Sequence, residues 1–372
     1  MATLSFLVYT FAYLTDVARE FGLEGLEITD QGRIEMPSRD LPRSYSPKEV
    51  IQIIENNLDR LKSLSKGFGN EDHDLLLRKL KLLQQKTESS GFRRPLTLEE
   101  YDDRHEQQAL VYGVTKDDIN ERITLVFRGT ENNTEARNQN WLHNISVAKQ
   151  DIEVPHALEF IVPRLRVHTG FADYIFKPTV DEGDSPEWRK FDEIMEDVKL
   201  LLTAHPSYKL YVTGHSLGGA LSTLMSLYLA SDPEIPKPVT CINFASPRVG
   251  GGNFLKAIKW LEEKRWLRML RVVNDKDTVT TFPMTNYHHV GIQLRLYEAV
   301  GEEPKLTYPK GDETYGSYFS RLWQNSVIAS VNFSYDHGSY RERVDKDKLF
   351  LIKYDLNELY NDRSLTGFAT TI

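Results

Sequence analysis

The sequence predicts an α/β protein with a mostly parallel central sheet covered by helices on both faces. Three observations carry that expectation. From about residue 101 onward, short apolar β-runs alternate with helical stretches, and strands so separated pair in parallel beneath two layers of helix. One run, Tyr208 to Thr213, leads straight into Gly214-His215-Ser216-Leu217-Gly218-Gly219-Ala220 and then a helical segment, the strand–turn–helix setting of a projecting serine. The 372 residues are 40% hydrophobic and 27% charged, which supplies a sizeable core and excludes collagen-like, low-complexity and largely disordered chains.

Taken in order, Leu4 to Leu14 is apolar but too short for a membrane span. No basic residue precedes it and no clean small-x-small site follows, so a helix to Glu20 burying Leu4, Val8, Phe11 and Leu14 is expected rather than a cleaved signal. Ser46-Pro47-Lys48-Glu49 starts a helix with a capping hydroxyl, a proline at the first helical position and a glutamate three residues after the cap. Val50, Ile54, Leu58, Leu61 and Leu64 mark its apolar face, and after Gly67 and Gly69 a second helix runs from about Asp72 to Lys86. This αα-hairpin, about 46–88, reads as packing or a partner surface, since no catalytic constellation precedes residue 100. The expected organisation is therefore a helical extension over 1–100, packed on or beside a catalytic domain over 101–345, and a C-terminal extension over 346–372.

Within the catalytic part, Gln108 to Thr115 and Ile123 to Phe127 read as β-runs joined by a polar turn. Trp188 to Ala204 is helical, with Phe191, Ile194, Met195, Val198, Leu201 and Leu202 in phase. A helix over Leu221 to Ala230 follows the serine, and strands at Val239 to Phe244 and Leu267 to Val273 flank a helix near Asn253 to Lys264. Val290 to Leu296 is strand-like, and the polar stretches Pro178 to Pro186 and Gly301 to Gly311 read as surface loops.

Charge and cysteine usage narrow the functional classes. With 46 basic and 54 acidic residues the net charge is −8, so nothing electrostatic favours nucleic acid or an anionic membrane. Cys241 stands alone, which excludes an intrachain disulfide and a cysteine-based zinc site and points to a reducing, cytoplasmic location.

The chemistry centres on Ser216. A nucleophile on a tight strand-to-helix turn needs small neighbours at Gly214 and Gly218, and the helix beginning beside it offers free N–H groups to a developing oxyanion. A serine hydroxyl needs a base, usually a histidine oriented by a carboxylate, in the order Ser, acid, His for this type of turn. Three histidines follow: His288 and His289 beside a strand, where a packing role is expected, and His337 in the polar run Tyr335 to Tyr340, read as a loop. Asp275 and Asp277 both follow a strand's carboxyl end; either fits the acid, and the other is expected to be solvated.

Seven ordered motifs then resemble a known family. They are Phe127-Arg128-Gly129-Thr130; Asn140-Trp141-Leu142; Val167-His168-Thr169-Gly170-Phe171; the serine motif; Ala245-Ser246-Pro247-Arg248-Val249-Gly250; Val273-Asn274-x-x-Asp277-x-Val279; and Asp336-His337-x-Ser339-Tyr340. Together they resemble the class 3 lipases, the fungal-lipase-like α/β-hydrolases. The resemblance implies an α/β-hydrolase fold, Ser216 as nucleophile, Asp277 as acid and His337 as base. It also implies an oxyanion hole from Thr130 and the Leu217 N–H, and a lid over Glu131 to Val147 carrying Trp141. Three features depart from the family: Thr280 replaces the usual proline after the acid motif, the secreted members' disulfides are absent, and the small fungal enzymes have no counterpart of the helical hairpin.

The expected function is a serine carboxylester hydrolase acting on acylglycerols or related lipid esters, touching a lipid interface transiently and requiring no metal or organic cofactor. The alternatives are a soluble-ester or phospholipid esterase on the same frame, and a non-catalytic lipase-like scaffold that binds partners through the hairpin.

Overall fold

The computed structural model describes residues 27–28, 34–37, 42–45, 97–102, 112–129, 148–178, 189–283, 285–299, 301–309, 337–347, 351 and 353–368. Three short strands, β1 (Glu27–Ile28), β2 (Ile34–Pro37) and β3 (Pro42–Tyr45), form an antiparallel sheet of their own. The main sheet takes β4 (Thr97–Asp102), β5 (Tyr112–Asp117) and β6 (Arg122–Phe127). An antiparallel pair outside it, β7 (Lys149–Ile152) and β8 (Leu165–His168), comes next. The chain re-enters the main sheet as β9 (Lys209–His215), β10 (Val239–Phe244), β11 (Leu267–Asn274), β12 (Ile292–Leu296) and β13 (Lys305–Thr307). Its order is β13-β12-β11-β10-β9-β6-β5-β4; the five strands from β12 to β6 run parallel and both edges are antiparallel.

Helices α1 (Thr169–Phe176), α2 (Lys190–Ala204), α3 (Leu217–Ser231) and α4 (Gly252–Glu263) lie between strands in the chain. Short helices α5 (Tyr340–Lys346), α6 (Leu356–Asn361) and α7 (Arg363–Thr366) follow the last strand. Side chains alternate across a strand, so one face of β10 and β11 presents Val239, Cys241, Leu267 and Met269 to the core shared with α3 and α4. The other presents Phe244 and Val272, which pack with Leu294, Leu296 and Tyr340 of α5. Helices thus cover both faces, and a parallel five-stranded core with a helix leaving β9 at the serine is the α/β-hydrolase fold.

Every residue of α3 is buried, so its polar side chains need partners inside the protein. They bond back along the helix: Ser222 and Thr223 to the Gly219 carbonyl at 2.8 Å, and Ser231 to that of Leu227 at 2.7 Å.

The elements depart from expectation in four places. In the described part of the N-terminal extension the elements are strands; the expected helix to Glu20 and the hairpin at 46–88 lie outside the described residues. The strand β4 crosses the expected boundary at residue 100 and joins the main sheet. Part of the loop expected at Gly301 to Gly311 is β13, whose three residues pair antiparallel with β12. His337 opens a helical turn running into α5 instead of lying in a loop. Among the described residues no helix is long and apolar enough to cross a membrane.

Candidate active site

Ser216 sits between the last residue of β9 and the first of α3 with φ 58° and ψ −123°, a backbone conformation that L-residues with side chains seldom adopt. The chain reverses so tightly there that a Cβ on Gly214 would stand 2.2 Å from the Gly218 carbonyl oxygen. One on Gly218 would stand 2.3 Å from the carbonyl oxygen of Phe127 at the end of β6. Both glycines are therefore required by contact with backbone, which cannot move aside cheaply. The Ser216 amide donates to the Phe244 carbonyl in β10 at 3.0 Å, tying the turn to the neighbouring strand. Leu217 opens α3, so its N–H has no acceptor within the helix and lies beside the serine at the positive end of the helix dipole.

The parallel register brings β11 to the same end of the sheet, and the turn after it holds a buried carboxylate. Nδ1 of His337 lies 3.1 Å from Oδ2 and 3.2 Å from Oδ1 of Asp277. Asp277 Oδ1 also accepts from the Val279 amide at 2.9 Å, and Oδ2 accepts the Tyr340 hydroxyl at 2.5 Å. Burial works to raise this carboxyl, but the adjacent His337 and the hydrogen bonds from His337 and Tyr340 hold it below the ordinary carboxylate value. Because Asp277 stays ionised and only accepts, His337 must carry its proton on Nδ1, leaving Nε2 as the ring's basic nitrogen. The elbow joins this couple through His215, whose ring centroid lies 4.6 Å from that of His337.

Of the residues singled out in the sequence, Ser216, Leu217, Gly214, Gly218, Asp277 and His337 converge on this end of the sheet. Thr130 and Trp141 lie outside the described residues, although Gly129 and Phe127 lead to Thr130 from the strand end that touches Gly218. Asp275, expected to be solvated if Asp277 were the acid, is instead paired with the buried Arg343 at 2.5 Å. His289 is buried in the core, and burial first, then Arg271 and Arg248, hold its imidazole well below the ordinary histidine value. Among the described residues no three His, Cys, Asp or Glu side chains are grouped to hold a metal ion. Two residues that stand within the quoted motifs had been given no role of their own: Tyr340, whose signal is its place three residues after His337 on one helix face, and His215, masked by the adjacent serine.

Residues 124–287 match the family model described as Lipase (class 3). Phospholipase A1-II 7 of Oryza sativa subsp. indica is 32% identical over 198 residues, which are 50% of this chain and 46% of that protein. Phospholipase A1-IIgamma of Arabidopsis thaliana is 34% identical over 143 residues, 36% of this chain and 33% of that one. The chain thus spans about half the length of the first of these relatives and a third of the second. Among solved structures, lipase II from Rhizopus niveus has a TM-score of 0.47 at 22% identity, covering 66% of this chain and 80% of that one. The stretch matched by the family model begins in β6, contains the serine turn and ends beyond Asp277, and over it the chain is similar to the class 3 lipases.

Proposed function

We propose that this protein is a serine carboxylester hydrolase acting on lipid esters through an acyl-enzyme, with Ser216 as nucleophile, His337 as base and Asp277 as the orienting acid. The observation that carries the reading is the buried Asp277–His337 couple, 3.1 Å apart, at the sheet end where the strained turn presents Ser216. In this reading the Ser216 hydroxyl attacks the acyl carbonyl while Nε2 of His337 takes its proton. Charge developing on the carbonyl oxygen is met by the Leu217 N–H and by Thr130, and is stabilised most in the tetrahedral state. The imidazolium then protonates the leaving alcohol, and a water activated by the same nitrogen releases the fatty acid. Asp277 stays ionised throughout and stabilises the imidazolium.

The catalytic unit in this proposal is 101–345 with β4 added at its edge, and the extensions at 1–100 and 346–372 flank it. A phospholipid is the substrate favoured over a plain acylglycerol by one specific observation, the phospholipase A1 names of the relatives at 32% and 34% identity. The segment Glu131 to Val147 is the proposed lid, polar in its first half and apolar at Trp141, Leu142, Ile145 and Val147, suited to turn toward a lipid surface. A cytoplasmic location rests on the single, buried, unbridged Cys241.

Assay of the purified protein on p-nitrophenyl esters, triacylglycerols and phospholipids, with Ser216→Ala alongside, tests the reading. Hydrolysis that vanishes in the variant is expected, highest at the sn-1 acyl ester of a phospholipid. No turnover on any ester would favour the partner-binding scaffold instead.

A further inference from the structure

The strand register sends the side chain of His215 to the α5 face of the sheet. His215 is the last residue of β9 and stands opposite Phe244 of β10, which packs against Tyr340. There its ring is buried beside the base and the tyrosine that binds the acid, 4.6 Å from the His337 ring and edge-on to Tyr340 at 5.7 Å. Nε2 of His215 lies 2.8 Å from the backbone carbonyl oxygen of His337. A carbonyl oxygen only accepts, so this nitrogen must carry a proton and donate, which specifies the Nε2–H form of the ring.

We propose that His215 is a positioning residue that sets the distance between the nucleophile and the base. The inference rests on the hydrolase reading above and adds a part to it. Ser216 and His337 come from segments more than a hundred residues apart, and proton transfer between them needs their spacing held within a few tenths of an ångström. The acid turn holds the His337 imidazole from the side of β11, through Asp277. His215 holds the backbone of the same residue from the side of β9, and it is joined by one peptide bond to Ser216. A rigid ring with one donor therefore spans directly from the turn that carries the nucleophile to the residue that carries the base. The donor must be neutral for the site to work well, because a second cation beside His337 would oppose the imidazolium formed during attack.

Glutamine places an amide N–H at nearly the same number of bonds from the backbone as the imidazole Nε2, whereas leucine fills the space without a donor. Steady-state hydrolysis of p-nitrophenyl butyrate is measured for the full-length wild type and for His215→Gln, His215→Leu and Ser216→Ala. In His215→Leu, kcat should fall about 10–100-fold with KM nearly unchanged, since a misplaced base affects the transition state and not ground-state binding. In His215→Gln most of that loss should be recovered, to within about threefold of wild type, which a purely space-filling role would not produce. A His215→Leu enzyme with wild-type kcat, or equal losses in both variants, overturns the inference. Absence of any wild-type turnover that depends on Ser216 overturns the hydrolase reading itself. The hydrogen bond has its own readout, whatever the variants do: in wild-type protein labelled with 15N-histidine, His215 should show a protonated Nε2 and an unprotonated Nδ1, and the reverse tautomer overturns the proposal.

Discussion

The hydroxyl of Tyr340 donates to Oδ2 of Asp277 at 2.5 Å while accepting the Asn274 amide at 3.0 Å, so one phenol links the end of β11 to the carboxylate three residues later. Both bonds are buried, and burial together with the Asp277 charge pushes the phenol far above its ordinary pKa, leaving it a permanent donor. Tyr340 and His337 are spaced by one helical turn, so a single face of the segment delivers the base and the tyrosine to the same carboxylate.

Tyr340→Phe should therefore weaken the site without removing a catalytic group. A bond to a charged acceptor is lost and the Asn274 amide is left without this partner, at a cost of roughly 1.5–3 kcal/mol in stability. The activity loss should be moderate, about tenfold in kcat, because His337 still holds Asp277. The pH dependence has a definite sign. The folded-state pKa of Asp277 lies below its unfolded value, so its contribution is present above the unfolded pKa and lost as pH falls through the folded one. Removing the Tyr340 bond raises the folded value, and acid unfolding of the variant should begin at higher pH. Urea titrations across the acid range check this, and an unchanged acid limb would mean the phenol contributes nothing to the carboxylate's ionisation.

Ser216 offers a separation of stability from activity. Its φ of 58° costs any residue with a Cβ, and glycine is relieved of that cost. Ser216→Gly should be more stable than Ser216→Ala by about 1 kcal/mol, and both should lose ester hydrolysis by many thousandfold, as should His337→Ala. His289→Ala, if folded, should retain substantial turnover. Equal stability of the two Ser216 variants would show that the turn is not strained.

The serine turn was legible because its chemistry dictates residue types: backbone at 2.2 and 2.3 Å from the missing Cβ atoms leaves only glycine at 214 and 218. The strands of the parallel core were legible for a related reason, since burial on both faces demands mostly apolar runs such as Val239–Phe244, which is polar only at Thr240 and Asn243. The choice between Asp275 and Asp277 was not, because both follow β11 and what separates them is which residues of a distant helix each meets: Arg343 for one, His337 and Tyr340 for the other. Nor was β13, whose three residues have no periodicity of their own and become a strand only by pairing with β12.

The two aspartates should separate cleanly in experiment. Asp275→Ala strands the buried Arg343 guanidinium and should destabilise by roughly 3 kcal/mol while leaving kcat within a few-fold. Asp277→Asn should keep the shape and allow the wrong His337 tautomer, with a loss near 10⁴-fold in kcat. Thermal melts and steady-state kinetics on both variants decide it. A large kcat loss in Asp275→Ala with an intact Asp277→Asn would exchange the assignments.

Glu262 should be a neutral acid at moderate pH, because its burial disfavours the charged form. Its carboxyl, fully buried in α4, meets the hydroxyls of Tyr308 and Tyr360, while Tyr360 also reaches the Met269 carbonyl at 2.9 Å and accepts the Met269 amide at 2.7 Å. Tyr308 and Tyr360 both donate to this carboxyl. Burial first raises the carboxyl to about 7, against the hydrogen bonds of both tyrosines and the nearby Lys259, with Glu263 adding to the rise. A carboxyl whose folded pKa exceeds its unfolded one contributes most below the unfolded value, and that contribution is lost as pH rises through the folded value. Wild-type stability should thus fall by up to roughly 3 kcal/mol between about pH 4.5 and 7 on this group's account and level off above. Glu262→Gln reproduces the neutral donor and acceptor without a titrating proton, so its stability relative to wild type should grow over that interval and stay constant beyond it. The affected element is the C-terminal segment, because Tyr360 and Phe368 pack there against Ile292 and Tyr308 and Arg265 binds the Tyr360 carbonyl at 2.8 Å. Hydrogen exchange should accordingly report opening of α6 and α7 in wild type as pH rises, and a stability difference independent of pH would mean that Glu262 is ionised in the folded protein.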